Sequence, residues 1–404
     1  MNARAILVLD VSRLVSRTKR GSPTGIDRVE LDEAERVLAS DREACFFATR
    51  GPRSWFIPRV DIARLVHGLR ARWSGGTDVG RNAARAVYGF LGIGSQVPEP
   101  GVSAPAMPAI AGPRAVPSVL LTRRLERLLQ DPETRVTYRN VSHHYLDQDG
   151  LIIGLKDRWQ ARIEVFWHDA IPILWPEYFR EGDSEKHHRR LSAVLSYADS
   201  ITVNSHATRN ELAFLALERR QSLPPVTVRP LTPPKVFSGE IARLETARPF
   251  FIVVGTIEPR KNHRMLLEVW RELARERGPA CPALVLAGRR GWMNSDTFAL
   301  LDRSPALKDH VIEAPELCDE VLAGLMRSAE ALLMPSFAEG FGLPLVEAQE
   351  LGTPVIASDL PVFREVARHP FVALPPLAGQ LWKEKITELV DGALGAHAAS
   401  RQGL

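Results

Sequence analysis

The stretch from Ala331 to Ala348 constrains the chain more than any other. Ala331 to Met334 is a short apolar run and predicts a buried strand. A glycine-rich loop follows, Pro335-Ser336-Phe337-Ala338-Glu339-Gly340-Phe341-Gly342, and Leu345 to Leu351 then has helical spacing. Pro344 suits the first turn of that helix, where its missing N–H costs nothing. A strand, a glycine loop and a helix start together offer an anion free backbone N–H groups and the positive end of a helix dipole. Gly340 and Gly342 let the backbone approach such an anion closely. Two carboxylates bracket the loop: Glu339 before the helix, and Glu347 on it eight residues later.

The same arrangement occurs once more in this half of the chain. Pro249 to Gly255 reads as a buried strand, Thr256 to His263 as a loop, and Arg264 to Arg277 as a helix. Arg260 and Lys261 fall at the strand-to-helix turn, where two adjacent cations can meet a diphosphate, one as a planar fork and one as a point charge. Strands at Ala283–Ala287, His310–Glu313 and Thr353–Ser358 alternate with helices at Asp296–Leu301, Asp319–Met326 and Pro361–Ala367. Such alternation over 249–373 predicts a doubly wound parallel sheet. Leu381 to Leu394 reads as a terminal helix.

These motifs resemble those of retaining glycosyltransferases of the GT-B fold, in particular glycosyltransferase family 4. Glu339 and Glu347 match the Glu-x7-Glu signature. Gly255-Thr256-Ile257-Glu258-Pro259-Arg260-Lys261-Asn262 is similar to the motif in which Arg and Lys neutralise the leaving diphosphate. Gly288-Arg289-Arg290-Gly291-Trp292 also fits. The resemblance covers nearly all of 249–373 and is patchy before it.

In the first half, Ala5 to Asp10 reads as a strand, residues 11–28 as a polar, basic loop, and a helix starts near Ile26. Thr24-Gly25-Ile26-Asp27-Arg28 resembles the family loop whose backbone, here at Gly25, faces the donor phosphates and the acceptor. Cys45 to Thr49 predicts a second strand and residues 60–92 an arginine-rich helical region. Six prolines between Ser95 and Ser118 exclude a long helix and predict an exposed insertion. Arg162 onward is a strand ending in His168-Asp169. Strand ends in open α/β sheets face the ligand crevice. The pair resembles the family's His-Asp, in which the histidine reaches toward the transferred sugar. Ser200 to Val203 is a strand, followed by a helix capped by Asn204 or Ser205. Five prolines from Pro224 to Pro234 mark the domain linker, with a short strand at Val226–Val228 between them. Asp147-Gln148-Asp149-Gly150 contains the Asp-x-Asp that binds a metal in the other large glycosyltransferase fold. Asp-Gly is also a strong turn signal, and a turn is the expected reading.

Composition sets the outer bounds. A chain of 404 residues accommodates two domains. No run approaches the roughly 18 to 20 apolar residues of a spanning helix. Cys45, Cys281 and Cys318 are too scattered for a disulfide framework or a zinc site. Residues 1–240 hold 34 Lys and Arg against 27 Asp and Glu; residues 241–404 hold 18 against 21. A basic first half favours an anionic partner such as a membrane surface.

The expected fold is α/β, GT-B, with two Rossmann-like domains and a cleft between them. Residues 1–235 form the acceptor-side domain with the insertion 95–118, residues 236–380 the nucleotide-sugar domain, and residues 381–404 a helix and tail. The resemblance implies transfer, with retention, of a hexose or deoxyhexose of mannose or rhamnose type from a GDP-, UDP- or dTDP-sugar to a glycan or lipid-linked glycan. It implies no metal and no other cofactor. Glu339, His168 and Asp169 are the expected catalytic residues. Arg260, Lys261, Gly340, Phe341, Gly342, Leu343 and Gly25 are expected on the diphosphate, and Glu347 on the ribose. The expected location is the cytoplasm, with peripheral membrane contact through the basic half. A nucleotide-sugar 2-epimerase of the same architecture and a non-catalytic nucleotide- or glycan-binding scaffold are the rival readings. Nucleic acid is not an expected partner, since no recognition motif accompanies the basic residues.

Overall fold

The computed structural model describes residues 4–94 and 116–402. The proline-rich insertion lies almost wholly outside the described residues. The described residues of Met1–Trp73, Ala104–Pro176 and Glu181–Leu231 make one compact unit; those of Ser74–Ser103, Glu177–Arg180 and Thr232–Leu404 make a second.

The first unit is built on seven strands: β1 (Arg4–Asp10), β2 (Ala44–Arg50), β3 (Arg53–Ile57), β4 (Thr134–Asn140), β5 (Arg162–Trp167), β6 (Ser200–Val203) and β7 (Val226–Val228). They lie in the order β3-β2-β1-β4-β5-β6-β7. All neighbours are parallel except β2 and β3, which pair as a hairpin through Phe47 and Phe56. Alternation along β1 shows why the sheet is covered on both faces. Ile6 and Val8 enter one apolar cluster with Val136, Tyr138 and Ile163, while Leu7 and Leu9 enter another with Leu31, Ile62 and Leu65. A strand apolar on both sides needs a layer on each face.

The second unit carries β8 (Phe250–Val254), β9 (Ala283–Ala287), β10 (Val311–Glu313), β11 (Ala331–Met334), β12 (Val355–Ser358) and β13 (Val372–Leu374). Their order is β10-β9-β8-β11-β12-β13, parallel throughout. Phe251 and Val253 pack with Leu266, Trp270 and Trp382 on one face. The terminal helix, Gly379–Gln402, contributes Trp382, Ile386 and Val390 to that layer.

Several elements differ from the sequence reading. The helical region 60–92 is two helices, Arg59–Gly75 and Asp78–Leu91. They break at Gly76, which has φ of 76°, and Thr77 caps the second helix by accepting from the Gly80 N–H. The second of them belongs to the second unit, where Thr77 Oγ1 donates to Glu316 at 2.8 Å. The basic loop 11–28 contains a short helix, Ser12–Ser16. Asp149-Gly150 does not close a turn; it opens the helix Asp149–Trp159, and the turn ends one residue pair earlier. Asp147 lies 3.6 Å from Arg190 and 4.0 Å from Lys186.

Candidate functional site

In the second unit the chain runs outward from β8 through β9 to β10, then returns to the other side of β8 with β11. The order therefore reverses between β8 and β11, and the crevice at such a reversal, beyond the carboxyl ends of the strands, is where open α/β sheets bind ligands. Both predicted loops leave from there. The loop after β8 carries Gly255 to Lys261, and the loop after β11 carries Pro335 to Gly342. Backbone carbonyls fasten one loop to the other: the Phe337 N–H donates to the Arg260 carbonyl at 2.8 Å, and Asn262 Nδ2 donates to the Pro335 carbonyl at 3.2 Å.

The charged side chains of the two loops meet. Lys261 Nζ donates to Glu339 Oε1 at 2.5 Å, and Ser336 Oγ donates to the same oxygen at 2.7 Å. Arg260 NH1 lies 2.8 Å from Glu339 Oε2 and donates to the Ala338 carbonyl at 2.9 Å. Its Nε lies 2.6 Å from Glu258 Oε1. Burial by itself would raise the Glu339 carboxyl, but Arg260, Lys261 and the hydrogen bonds from Lys261 and Ser336 outweigh it and hold the group at about 2. Glu258 is pushed up by burial, against the pull of Arg260 and Lys261. Behind the cations His263 is buried, and burial followed by the repulsion of Lys261 and Arg260 lowers it to about 3, so it adds no third positive charge.

Two glycines are required by this geometry. Gly255 has φ of 135°, and a Cβ there would sit 3.3 Å from Lys261 Cε. Gly342 caps the helix Leu343–Glu350 with φ of 94°, and a Cβ there would fall 2.5 Å from the Phe363 ring. That helix begins at Leu343 with Pro344 in its first turn and buries Glu347 on its inner side. Phe341 is buried in the loop, next to Gly340. Arg260, Lys261, Glu339 and Gly340 to Leu343 are thus gathered at one strand crossover. The sequence motifs contain Ser336, Glu258 and Gly255 but assign none of them a role. Only the last carried a local signal, as a glycine directly after a buried strand.

In the first unit the order reverses between β1 and β4. His168 and Asp169 follow β5, the strand next to β4. His168 is buried, and its Nε2–H donates to the Val141 carbonyl at 2.7 Å. Its main-chain N–H donates to His143 Nε2 at 3.1 Å, and Asn204 Nδ2 donates to its carbonyl at 2.8 Å. Burial lowers the His168 imidazole to about 4, so it is neutral near pH 7. His187 Nε2 donates to the Asp169 carbonyl at 3.1 Å, and burial lowers that imidazole as well. Glu211, pushed up to about 7 by burial and by Asp169, accepts from the Ala170 backbone. His143 and His187 carry no sequence signal, whereas Glu211 lies on the helix His206–Glu218 that follows β6.

At the end of β1, Asp10 accepts from the Ser12 N–H at 2.8 Å and from the Tyr138 hydroxyl. Nearby Glu30 accepts from the Leu14 N–H at 2.9 Å and is raised to about 8 by burial and by Asp10. Gly25 is the first residue of the helix Gly25–Ala39, capped by Thr24 and Asp27 as a capping box. Asp27 also holds Arg13 at 2.6 Å and Arg17 at 2.9 Å, which pairs two of the cations of the basic loop. Among the described residues no group of three or more His, Cys, Asp or Glu is placed to hold a metal ion. No helix among them is long and apolar enough to cross a membrane.

Comparison with known proteins bears on the second unit first. Residues 239–403 match the family model described as glycosyl transferases group 1. The serotype-specific mannosyltransferase WbdA of Escherichia coli is 31% identical over 217 residues, which is 50% of this chain and 26% of that protein. The chain thus matches about a quarter of the length of this much longer relative. The D-inositol 3-phosphate glycosyltransferase of Kineococcus radiotolerans is 28% identical over 290 residues, 64% of this chain and 66% of that protein. Among solved structures, Anabaena Alr3699/HepE in complex with UDP-glucose superposes with a TM-score of 0.58 over 96% of this chain and 90% of that one, at 15% identity. The fold is GT-B, with two parallel-sheet units.

Proposed function

We propose, for a chain whose residues 239–403 match the model of the group 1 glycosyl transferases, that it moves a hexose from a nucleoside diphosphate sugar to a glycan or lipid-linked glycan, with retention of anomeric configuration. The observation that carries this reading is the convergence of Arg260, Lys261 and the glycine loop Gly340–Leu343 at the reversal between β8 and β11. A leaving diphosphate develops charge as the glycosidic bond breaks. Two fixed cations and the N–H groups of a helix start are suited to stabilise that charge. They do so without calling on a metal, and metal independence is part of the proposal.

The remaining roles follow from chemistry and position. Glu347, buried on the helix after the loop, is suited to accept hydrogen bonds from ribose hydroxyls. Glu339 stays ionised at any working pH and is suited to support a cation-like sugar. His168, neutral and held by Val141 and Asn204, serves as a hydrogen-bonding group toward the sugar rather than as an acid. Asp169 orders the turn by accepting from the Ile171 N–H at 3.2 Å. Gly25 is proposed as the first unit's contact to the phosphates. The similarity to WbdA, a mannosyltransferase, supports mannose as the transferred sugar, and surface polysaccharide is the product class proposed with it. The excess of Lys and Arg in residues 1–240 supports a peripheral contact with an anionic membrane face from the cytoplasmic side.

The test is an assay of nucleoside diphosphate release from GDP-mannose, UDP-glucose and dTDP-rhamnose, with glycan acceptors and with and without EDTA. Acceptor-dependent release from one donor, unaffected by EDTA, is the expected result. Conversion of the donor sugar with no acceptor present would instead identify an epimerase.

A further inference from the structure

The two cations assigned to the diphosphate are held by an anion of the chain itself. Glu339 spends both its oxygens on them, Oε1 on Lys261 Nζ at 2.5 Å and Oε2 on Arg260 NH1 at 2.8 Å, and Ser336 Oγ adds a third donor at 2.7 Å. The donors come from two loops and converge on one carboxylate. Little of either cation reaches solvent: the side chains are 18% exposed for Arg260 and 9% for Lys261. With Glu258 on the far side of Arg260, two carboxylates balance two cations.

We infer that Glu339 is an internal stand-in for the phosphate of the ligand, and that a nucleoside diphosphate takes Arg260, Lys261 and the Ser336 hydroxyl by displacing it. This rests on the donor site proposed above. A carboxylate and a phosphate oxygen accept the same charge-assisted bonds, so one can replace the other on the same donors. Without a stand-in, the empty site would hold two poorly solvated cations with too little opposite charge, which is strongly unfavourable. With the stand-in still in place, an arriving diphosphate would face a balanced cluster and a buried like charge. Exchange resolves both. It also frees the Glu339 carboxylate for the sugar only when a donor is bound, and lets it compete the spent diphosphate off its cations after transfer. Ser336 thereby becomes a ligand-binding residue.

The experiment is calorimetric titration of UDP, GDP and dTDP into the full chain as wild type, Glu339→Gln, Glu339→Asp and Ser336→Ala. Glu339→Gln is expected to bind the favoured diphosphate about tenfold more tightly, with no gain for the parent nucleoside, while turnover falls. Glu339→Asp keeps the charge but is one methylene too short to span both cations, so it too is expected to bind more tightly. Ser336→Ala placed in the Glu339→Gln background is expected to bind several-fold more weakly, since the hydroxyl then serves only the phosphate. Unchanged or weaker binding by folded Glu339→Gln and Glu339→Asp would overturn the exchange. A gain in Glu339→Gln alone, with Glu339→Asp equal to wild type, would also overturn it, because charge at a distance then explains the effect. A wild-type protein that binds none of the three would instead remove the donor site on which the inference rests.

Discussion

Lys261 Nζ and Glu339 Oε1 lie 2.5 Å apart although 78 residues separate them in the sequence. The contact closes the reversal between β8 and β11 and brings two motifs, each anion-binding in form, onto one charged cluster. Arg260 does the same from the other oxygen, at 2.8 Å.

Removing either charged member should disable transfer. Arg260→Ala and Glu339→Ala are expected to lower kcat by about 100-fold or more, the cost of removing a group aimed at developing charge. Arg260→Ala also leaves Glu258 without the partner 2.6 Å away. Steady-state kinetics beside a melting curve separate the effects, and wild-type turnover in either folded variant would refute the assigned roles.

Gly255→Ala tests the backbone beneath the cluster. The new methyl would press on Lys261 Cε at 3.3 Å from a φ of 135°. A side chain in that region costs about 1 to 3 kcal/mol. The variant is expected to melt earlier and to bind nucleoside diphosphate several-fold more weakly, with nucleoside binding unchanged. Equal loss for nucleoside and diphosphate would mean that Lys261 is not what the substitution moves.

Acid should dissolve the cluster in a defined window. Folding lowers the Glu339 carboxyl from 4.5 to about 2. Its contribution to stability is complete above the unfolded value and is lost as pH falls from about 4.5 toward 2. The shift corresponds to on the order of 3 kcal/mol. Urea unfolding of wild type and Glu339→Gln should therefore differ most near neutrality and converge as pH approaches 2. A gap that stays constant from pH 7 to pH 2 would contradict the ion-paired state.

The second unit was the more legible half, for a physical reason. Ala331–Met334 and Ala283–Ala287 are short, wholly apolar parallel strands bounded by turn residues, and the strands observed have these same limits. The first unit hides its central strand. β4, with Arg135 and Arg139 in a seven-residue run, looks polar, yet Arg139 is neutralised by Glu33 at 2.6 Å and Glu164 at 2.7 Å. Those partners come from a distant helix and a neighbouring strand, and no local pattern predicts them. The edge strands β3 and β13 were not read from the sequence. The same limit applies to the site. Arg260, Lys261 and Glu339 were visible as residue types beside glycine loops. Ser336 and Glu258 act through bonds inside their own loops, to Glu339 and Arg260, which residue type alone does not mark, and Arg13 and Arg17 meet Asp27 only once the loop folds back on the helix.

His168 should titrate far from an ordinary histidine. Burial lowers it from 6.5 to about 4. Its neutral form is the one that folding favours, so its contribution is complete above 6.5 and is lost as pH falls toward 4. An NMR titration of ring protons is expected to place its midpoint below 5. His168→Ala is expected to cost about 10- to 100-fold in kcat/KM with no new inflection between pH 6 and 8. A midpoint near 6.5 would contradict the buried bond to Val141.

The central claim is that this chain holds a nucleoside diphosphate on Arg260 and Lys261 and needs no metal to do so. Calorimetric titration of UDP, GDP and dTDP, each with and without EDTA, tests it most directly. The account predicts that one nucleotide binds, that EDTA leaves its affinity unchanged, and that Arg260→Ala weakens it. Binding that requires a divalent cation, or no binding by any of the three, would contradict it.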